Sequence, residues 1–206
     1  FRYAVAGYMF EYCLHGNVTI EGLIINYTVF MAFGEVTCMI FGGLSPVFTK
    51  TVGSKRMAFF WSALLCFVLS IAFFFIPMSP DYIWVMIALV ILTSIGIGIY
   101  SPLMWSMYAD VADYHTEHFG TSATGLIFSS GTMSQKFGTA ISGSLIALFL
   151  GWAGANMITD KMGNTVIDPT SITDSVLMMV WSLFSLFPAV IAFLLMVLSY
   201  KFPIKK

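Results

Sequence analysis

The sequence predicts an all-α membrane protein, a six-transmembrane-helix bundle whose first helix is truncated. Three observations carry that reading. Of 206 residues, 59% are hydrophobic and 9% charged, whereas a soluble domain carries roughly a quarter charged residues. Mean hydropathy is +0.90, with 17% aromatic residues. The apolar residues also gather into runs of about 20, enough at 1.5 Å per residue to cross a hydrocarbon core of about 30 Å. An ordinary soluble domain and a disordered chain are thereby excluded. With 9 basic and 10 acidic residues and no basic run outside the chain ends, a nucleic-acid partner is excluded as well.

Residues 1–14 are apolar, but about 14 residues cover only about 21 Å. The expectation is that the chain begins inside a helix and is a piece of a longer polypeptide without a signal peptide of its own, in keeping with a first residue that is not Met. Arg2 and Glu11 interrupt this span, and each is a candidate partner for a substrate or for another buried charge. For Arg2 the alternative is a side chain that reaches the headgroups. The second span, 27–48, contains Glu35, which reads either as a functional carboxylate or as a hydrogen-bonded packing residue. The third is 57–77. Cys13, Cys38 and Cys66 all lie in apolar stretches, and their odd number and separation mark them as small buried residues, not a disulfide framework.

The fourth span, 82–109, would reach about 42 Å, so its last turns are expected to protrude into water. That places Asp110 and Asp113 at the interface, three residues apart on one face. There they can pair with basic groups across a cytoplasmic gate or cap helix ends. Asp110, Asp113, His115 and His118 have the side chains of metal ligands, but a polar loop of this make-up is ordinarily solvated, and no metal site is assigned. Gly96, Gly98 and Pro102 mark a bend or a close approach of another helix or a ligand. Tyr100 and Trp105 flank that break; such rings either stack on the apolar face of a sugar or pack.

In the fifth span, 122–153, Lys136 lies near the middle, where a charge costs roughly 2.5 to 3.5 kcal/mol on insertion scales. A lysine at that depth is too far from either headgroup layer to snorkel easily. Ser129, Thr132, Ala140 and Gly143 fall at helical spacing from it, a small and polar face suited to line an aqueous cavity. On the opposite face Ser130, Ser134, Gly138 and Ser142 recur every four residues, the pattern that lets helices pack closely. The sixth span is 176–200.

Charge sets the expected orientation. The Lys50 to Arg56 loop and the Lys201 to Lys206 tail hold six basic residues between them, which places both, and the carboxyl terminus, on the cytoplasmic side. Connections on the opposite side hold only Lys161. The 108–121 connection must also be cytoplasmic, although it lacks Lys and Arg.

Several separated motifs resemble one family. Tyr108-Ala-Asp-Val-Ala-Asp-Tyr114, Ala123-Thr-Gly125 and Ser134-Gln-Lys-Phe-Gly138 are similar to the helix ten to helix eleven signature of the glycoside, pentoside and hexuronide cation symporters of the major facilitator superfamily. Arg2 with Tyr8-Met-Phe-Glu-Tyr12 resembles helix seven of that family, and Val52-Gly-Ser-Lys-Arg56 its loop between helices eight and nine. The resemblance covers the whole chain as one domain, 1–206, the carboxyl-terminal half of a major facilitator fold.

What the resemblance implies is a secondary transporter in the bacterial inner membrane that couples a sugar or glycoside to Na+ or H+ by alternating access. It implies no cofactor. Lys136 matches the helix eleven lysine of cation and sugar coupling, and Thr132, one turn earlier, would face the sugar. Arg2, Tyr100 and Trp105 would add to one wall of the cavity. Ser101 stands where the melibiose permease of the family has a tryptophan, so a different sugar is implied. Asp110 and Asp113 match the carboxylates of the cytoplasmic gate; the third acidic position of that motif is Thr116 here, with Glu117 after it. The partner implied is an amino-terminal half that carries the cation-binding carboxylates and most sugar contacts. The competing class is a membrane scaffold or assembly subunit, against which the mid-helix Lys136 speaks. An enzyme is not expected, because no nucleophile motif, zinc spacing or phosphate loop is present.

Overall fold

A computed structural model describes residues 2–20, 23–159 and 165–201. It contains six helices. α1 is Arg2–Tyr8 and runs directly into a π-helical turn, Met9–Cys13; α2 is Tyr27–Val52, α3 Lys55–Phe74, α4 Ile83–Phe119, α5 Thr124–Trp152 and α6 Asp174–Lys201. Four of them, α2, α3, α4 with its preceding turn, and α6, are long and apolar enough to cross a membrane. α5 falls outside that group because its serines, threonines and lysine dilute its apolar residues.

Helix ends follow local chemistry. Asn26 caps α2 by accepting from the Val29 amide at 2.9 Å, and Ser54 caps α3 by accepting from Met57 at 3.2 Å. Gly53 and Gly120 close α2 and α4 with φ of 85° and 68°, left-handed values that a Cβ would strain. α4 does not stop near residue 109 but continues to Phe119, about 55 Å in all. Pro102 is absorbed inside it.

Two small hairpins, not expected from the sequence, lie in the connections. β1, Val18–Ile20, pairs antiparallel with β2, Leu23–Ile25, and β3, Met157–Thr159, with β4, Thr165–Ile167. Three-residue strands are too short to register as a period-2 pattern. The Tyr12 hydroxyl ties the first helix to the second hairpin, accepting from the Ile167 amide at 3.0 Å and lying 3.3 Å from the Ile167 carbonyl. Lys161 and the tail beyond Lys201, both used in the orientation argument, lie outside the described residues.

α4 is the element against which the others are laid. Glycines let backbones meet there. A Cβ on Gly96 would lie 2.5 Å from Cys66 Sγ and 2.8 Å from the Ser62 carbonyl, so α3 touches α4 at that point. A Cβ on Gly98 would lie 2.6 Å from the Cys38 carbonyl of α2. The close approach expected of these glycines is therefore helix on helix.

The main core joins α1, α6 and the hairpin ends of α2 to α4 through Phe10, Phe30, Phe73, Phe184 and Trp181. Trp181 donates its indole N–H to the Phe74 carbonyl at 3.2 Å, satisfying an orphan group at the end of α3. A smaller cluster, Ala58, Phe59, Ile99 and Leu103, packs the opposite end. α5 is the least embedded helix, with Gly131, Ile146 and Leu150 its buried residues.

Replacing Gly98 by Ala forces a Cβ onto a backbone carbonyl that cannot rotate away. The helix interior would otherwise gain about 1 kcal/mol from the substitution; the clash is expected to turn this into a net loss of about 1 to 3 kcal/mol, read as a lowered thermal-unfolding midpoint of the purified protein.

Candidate functional site

α5 presents one stripe at one-turn spacing, Phe128, Thr132 and Lys136. Its rotation is set at the first of these. Phe128 stacks on Trp105 of α4, centroids 6.1 Å apart and planes within 8°, while Tyr108 meets Trp105 edge-on at 5.6 Å. Directly beside them Gly131 rests on the Tyr108 ring, where a Cβ would come within 2.6 Å of Cε2. Trp105 and Tyr108 thereby hold α5 with its polar stripe turned outward.

Thr132 and Lys136 are both exposed and, with Met133, Phe137 and Ala140, line an open recess of 440 Å³ walled among the described residues by α5 alone. The Thr132 hydroxyl donates to the Ser129 carbonyl at 2.9 Å, leaving its lone pairs for a further donor. Among the described residues Lys136 has no salt-bridge partner. Lys136 lies about 18 Å from the start of α5 and about 24 Å from its end, near the middle of the helix. An unpaired cation on a small, hydroxylated helix face calls for water, an anion or a polar solute in front of it.

The other candidates are distributed over the bundle. Ser101 stands one turn before Trp105 on α4, half-buried. Tyr100 faces away from α5, against Phe59 at 5.6 Å, and lines a 180 Å³ cavity together with Arg2. Glu11 is exposed in a third, larger cavity of 760 Å³ at the hairpin end, among Tyr3, Tyr8, Tyr12 and Tyr27. Thr132 and Lys136 thus share a cavity with each other, while Arg2, Tyr100 and Glu11 do not join them. Glu35 is exposed on α2.

The stripe of small residues departs from expectation. Ser130, Ser134 and Gly138 stay exposed, and a Cβ on Gly138 would meet nothing within 4 Å. Gly138 and Ser142 border a 510 Å³ groove between α5 and α6 instead of a tight helix contact. The physical reason is the aromatic anchor, which fixes α5 through Gly131 and not through this face. The serine hydroxyls bond their own helix, Ser130 to the Ile127 carbonyl and Ser134 to the Ser130 carbonyl, both at 2.8 Å.

Two residues past Tyr108 on α4, Asp110 is buried and receives the Lys55 ammonium on both carboxylate oxygens at 2.8 Å. Lys55 and Arg56 open α3, where the helix dipole disfavours positive charge. Asp110 offsets the first. Arg56 donates to the Tyr200 carbonyl near the end of α6, its guanidinium 5.3 Å from the Tyr200 ring centroid. Three helices are thereby tied at one point. The sequence did not single out Lys55 as the partner; its signal was a basic residue in the wrong turn of a helix. Asp113 is exposed, so the two aspartates separate, one inward and one outward. His115 and His118 each bond a backbone carbonyl at 2.9 Å, those of Thr121 and Tyr114; with Asp110 engaged by Lys55, the four side chains do not converge on a metal.

Comparison with known proteins adds the following. Residues 1–206 match a family described as MFS/sugar transport protein. In Escherichia coli (strain K12) the chain is 30% identical over 129 residues to the inner membrane symporter YicJ and 29% over 121 residues to the putative glycoside/cation symporter YagG. It is 33% identical over 114 residues to a glucuronide carrier protein homolog of the same organism. These alignments cover 61%, 55% and 54% of the chain but 27%, 26% and 24% of the respective relatives, so the chain matches about a quarter of the length of each. No solved structure matches it.

Breaking the Lys55–Asp110 pair from either side leaves a half-buried charge behind. Lys55→Met and Asp110→Asn should each lower the unfolding midpoint. A double-mutant cycle should return a coupling of about 1 to 3 kcal/mol, and the double variant should be more stable than the single variants summed.

Proposed function

The chain belongs to the MFS/sugar transport protein family, as part of an integral membrane transport protein and not an enzyme, and we propose that it is the carboxyl-terminal bundle of a cation-coupled sugar or glycoside symporter. Support for the coupling and the substrate class comes from the names of the symporter relatives. The observation that carries the site is the exposed Thr132–Lys136 stripe on a mid-membrane helix, beside a 440 Å³ cavity and next to the Trp105–Phe128 stack.

The mechanism follows from what such a stripe can do. An aromatic stack offers an apolar sugar face somewhere to rest. Thr132 offers an acceptor for a sugar hydroxyl, and Lys136 three donors and a positive charge. In a two-bundle transporter the partner bundle closes over such a face and opens on alternate sides. A bound cation and a bound sugar that each favour the closed state raise one another's affinity by the same factor, which is coupling. The Lys136 charge enters that balance directly: it repels an unpaired cation and attracts whatever carboxylates hold one, so occupancy of either site changes its partner. The basic Lys55 end of the bundle is assigned to the cytoplasm by the positive-inside rule, in a bacterial inner membrane. Asp110 and Lys55 then act inside the bundle as a cytoplasmic-end tie, with Asp113 left to face the partner bundle.

Uptake of a small glycoside panel by vesicles containing the full-length transporter tests this reading, with Na+ and pH gradients imposed separately. Accumulation should require one of the two gradients. Lys136→Ala should reduce it at least 100-fold or change the preferred cation, and Thr132→Val about 5- to 10-fold, the size of one hydrogen bond. Gradient-independent accumulation, or Lys136→Ala indistinguishable from wild type at equal expression, would overturn it.

A further inference from the structure

We propose that the 180 Å³ cavity between α1, α3, α4 and α6 is a binding site for one small planar oxoanion, held on the Nε–Nη2 edge of Arg2. The Arg2 Nε and Nη2 atoms are both buried, and neither has a hydrogen-bond partner among the described residues. What surrounds the guanidinium does not fill that need. Its carbon lies 4.6 Å from the Phe184 ring centroid and 5.7 Å from that of Phe73. Aromatic faces attract the charge but accept no conventional hydrogen bond from its edges.

The two orphan atoms are chemically specific. Nε–H and the neighbouring Nη2–H point the same way, and together form the fork that binds two oxygens of one planar anion side by side. Water can accept from both N–H groups but cannot neutralise the charge, which stays costly in a low-dielectric interior. An anion does both. No carboxylate lines the cavity among the described residues: the lining side chains beside Arg2 are Cys66, Ser70, Thr93 and Tyr100 with apolar residues of α4 and α6. The Ser70 and Tyr100 hydroxyls supply donors to the anion's outer oxygens.

Size narrows the ligand. A volume of 180 Å³ is several times the roughly 30 Å³ share of one water. It is below the roughly 300 Å³ at which pockets for drug-sized ligands begin. Formate, nitrate and bicarbonate, each of three or four heavy atoms, fit within it. The cavity also shares no lining residue with that of Thr132 and Lys136, so this site is separate from the stripe assigned to transport, and its occupant would be resident and not cargo.

Equilibrium dialysis of isotopically labelled formate against the purified full-length transporter tests the assignment without any transport assay. The expected result is one saturable formate per protein, displaced by nitrate and not by methyl glucuronide. The unfolding midpoint should rise with formate concentration as for a ligand of the folded state. Arg2→Gln should weaken formate binding at least 10-fold. Arg2→Lys keeps the charge without the fork and should do the same, which preserves the test if Arg2→Gln does not fold. Absence of bound formate would overturn the proposal in favour of water. Displacement by methyl glucuronide would overturn it in favour of an acidic cargo, and unchanged binding in Arg2→Lys would overturn the role of the fork. Failure of glycoside uptake with formate binding intact would count against the transport reading alone.

Discussion

A charge placed between packed helices in a bilayer must find an opposite charge, water or a polar solute, and the fold of this chain answers that requirement differently at each depth. At the Lys55 end it is met internally. Asp110, buried, takes the ammonium of Lys55 on both oxygens, and one contact removes two problems, a carboxylate among helices and a cation in the first turn of α3. At mid-membrane it is met from outside. Lys136 stands exposed on α5, beyond the aromatic anchor and without a salt-bridge partner among the described residues. Inside the bundle, Arg2 places its guanidinium over the rings of Phe73 and Phe184, and its Nε and Nη2 have no hydrogen-bond partner among the described residues.

These three solutions are possible because the backbone of α4 is reachable. Glycines at positions 96 and 98 bring α3 and α2 onto it, which aligns the start of α3 with Asp110 at one end and sets the cavity walls of Cys66, Thr93 and Tyr100 farther along. α5 is treated differently. It touches α4 through Gly131 and the Phe128–Trp105 stack, and its remaining surface is left for other partners.

The class of the fold and the six helices were legible because composition and apolar run length respond directly to the bilayer. The Lys136 stripe was legible too, since it is a property of one helix and needs only the 3.6-residue period. Contacts between helices were not. Lys55 and Asp110 are 55 positions apart, and no local pattern pairs them. The Ser130 to Ser142 stripe has the spacing of a packing face, yet the ring of Tyr108 against Gly131 decides which side of α5 meets α4. The hairpins were hidden by their shortness. The resemblance set Arg2 and Tyr100 on one cavity wall with Lys136, and helical spacing, which says nothing about which side of the bundle an element faces, offered no check on it; in the fold they line different cavities.

The wide turn at Met9–Cys13 has a consequence of its own. A π turn is one residue added to an α-helix without breaking it, closed here by Leu14 N–H to the Met9 carbonyl at 3.1 Å. Each residue in an α-helix advances the side-chain direction by about 100°, so the added one rephases everything after it. Arg2 and Val5 remain directed into the core, while Glu11 comes round to the hairpin-end cavity and Tyr12 to the β4 backbone. The helix ends at this turn, so the offset falls on Glu11 and Tyr12 alone: the carboxylate is delivered to the hairpin-end cavity and the phenol to the β4 strand, where it fastens the first helix to the second hairpin.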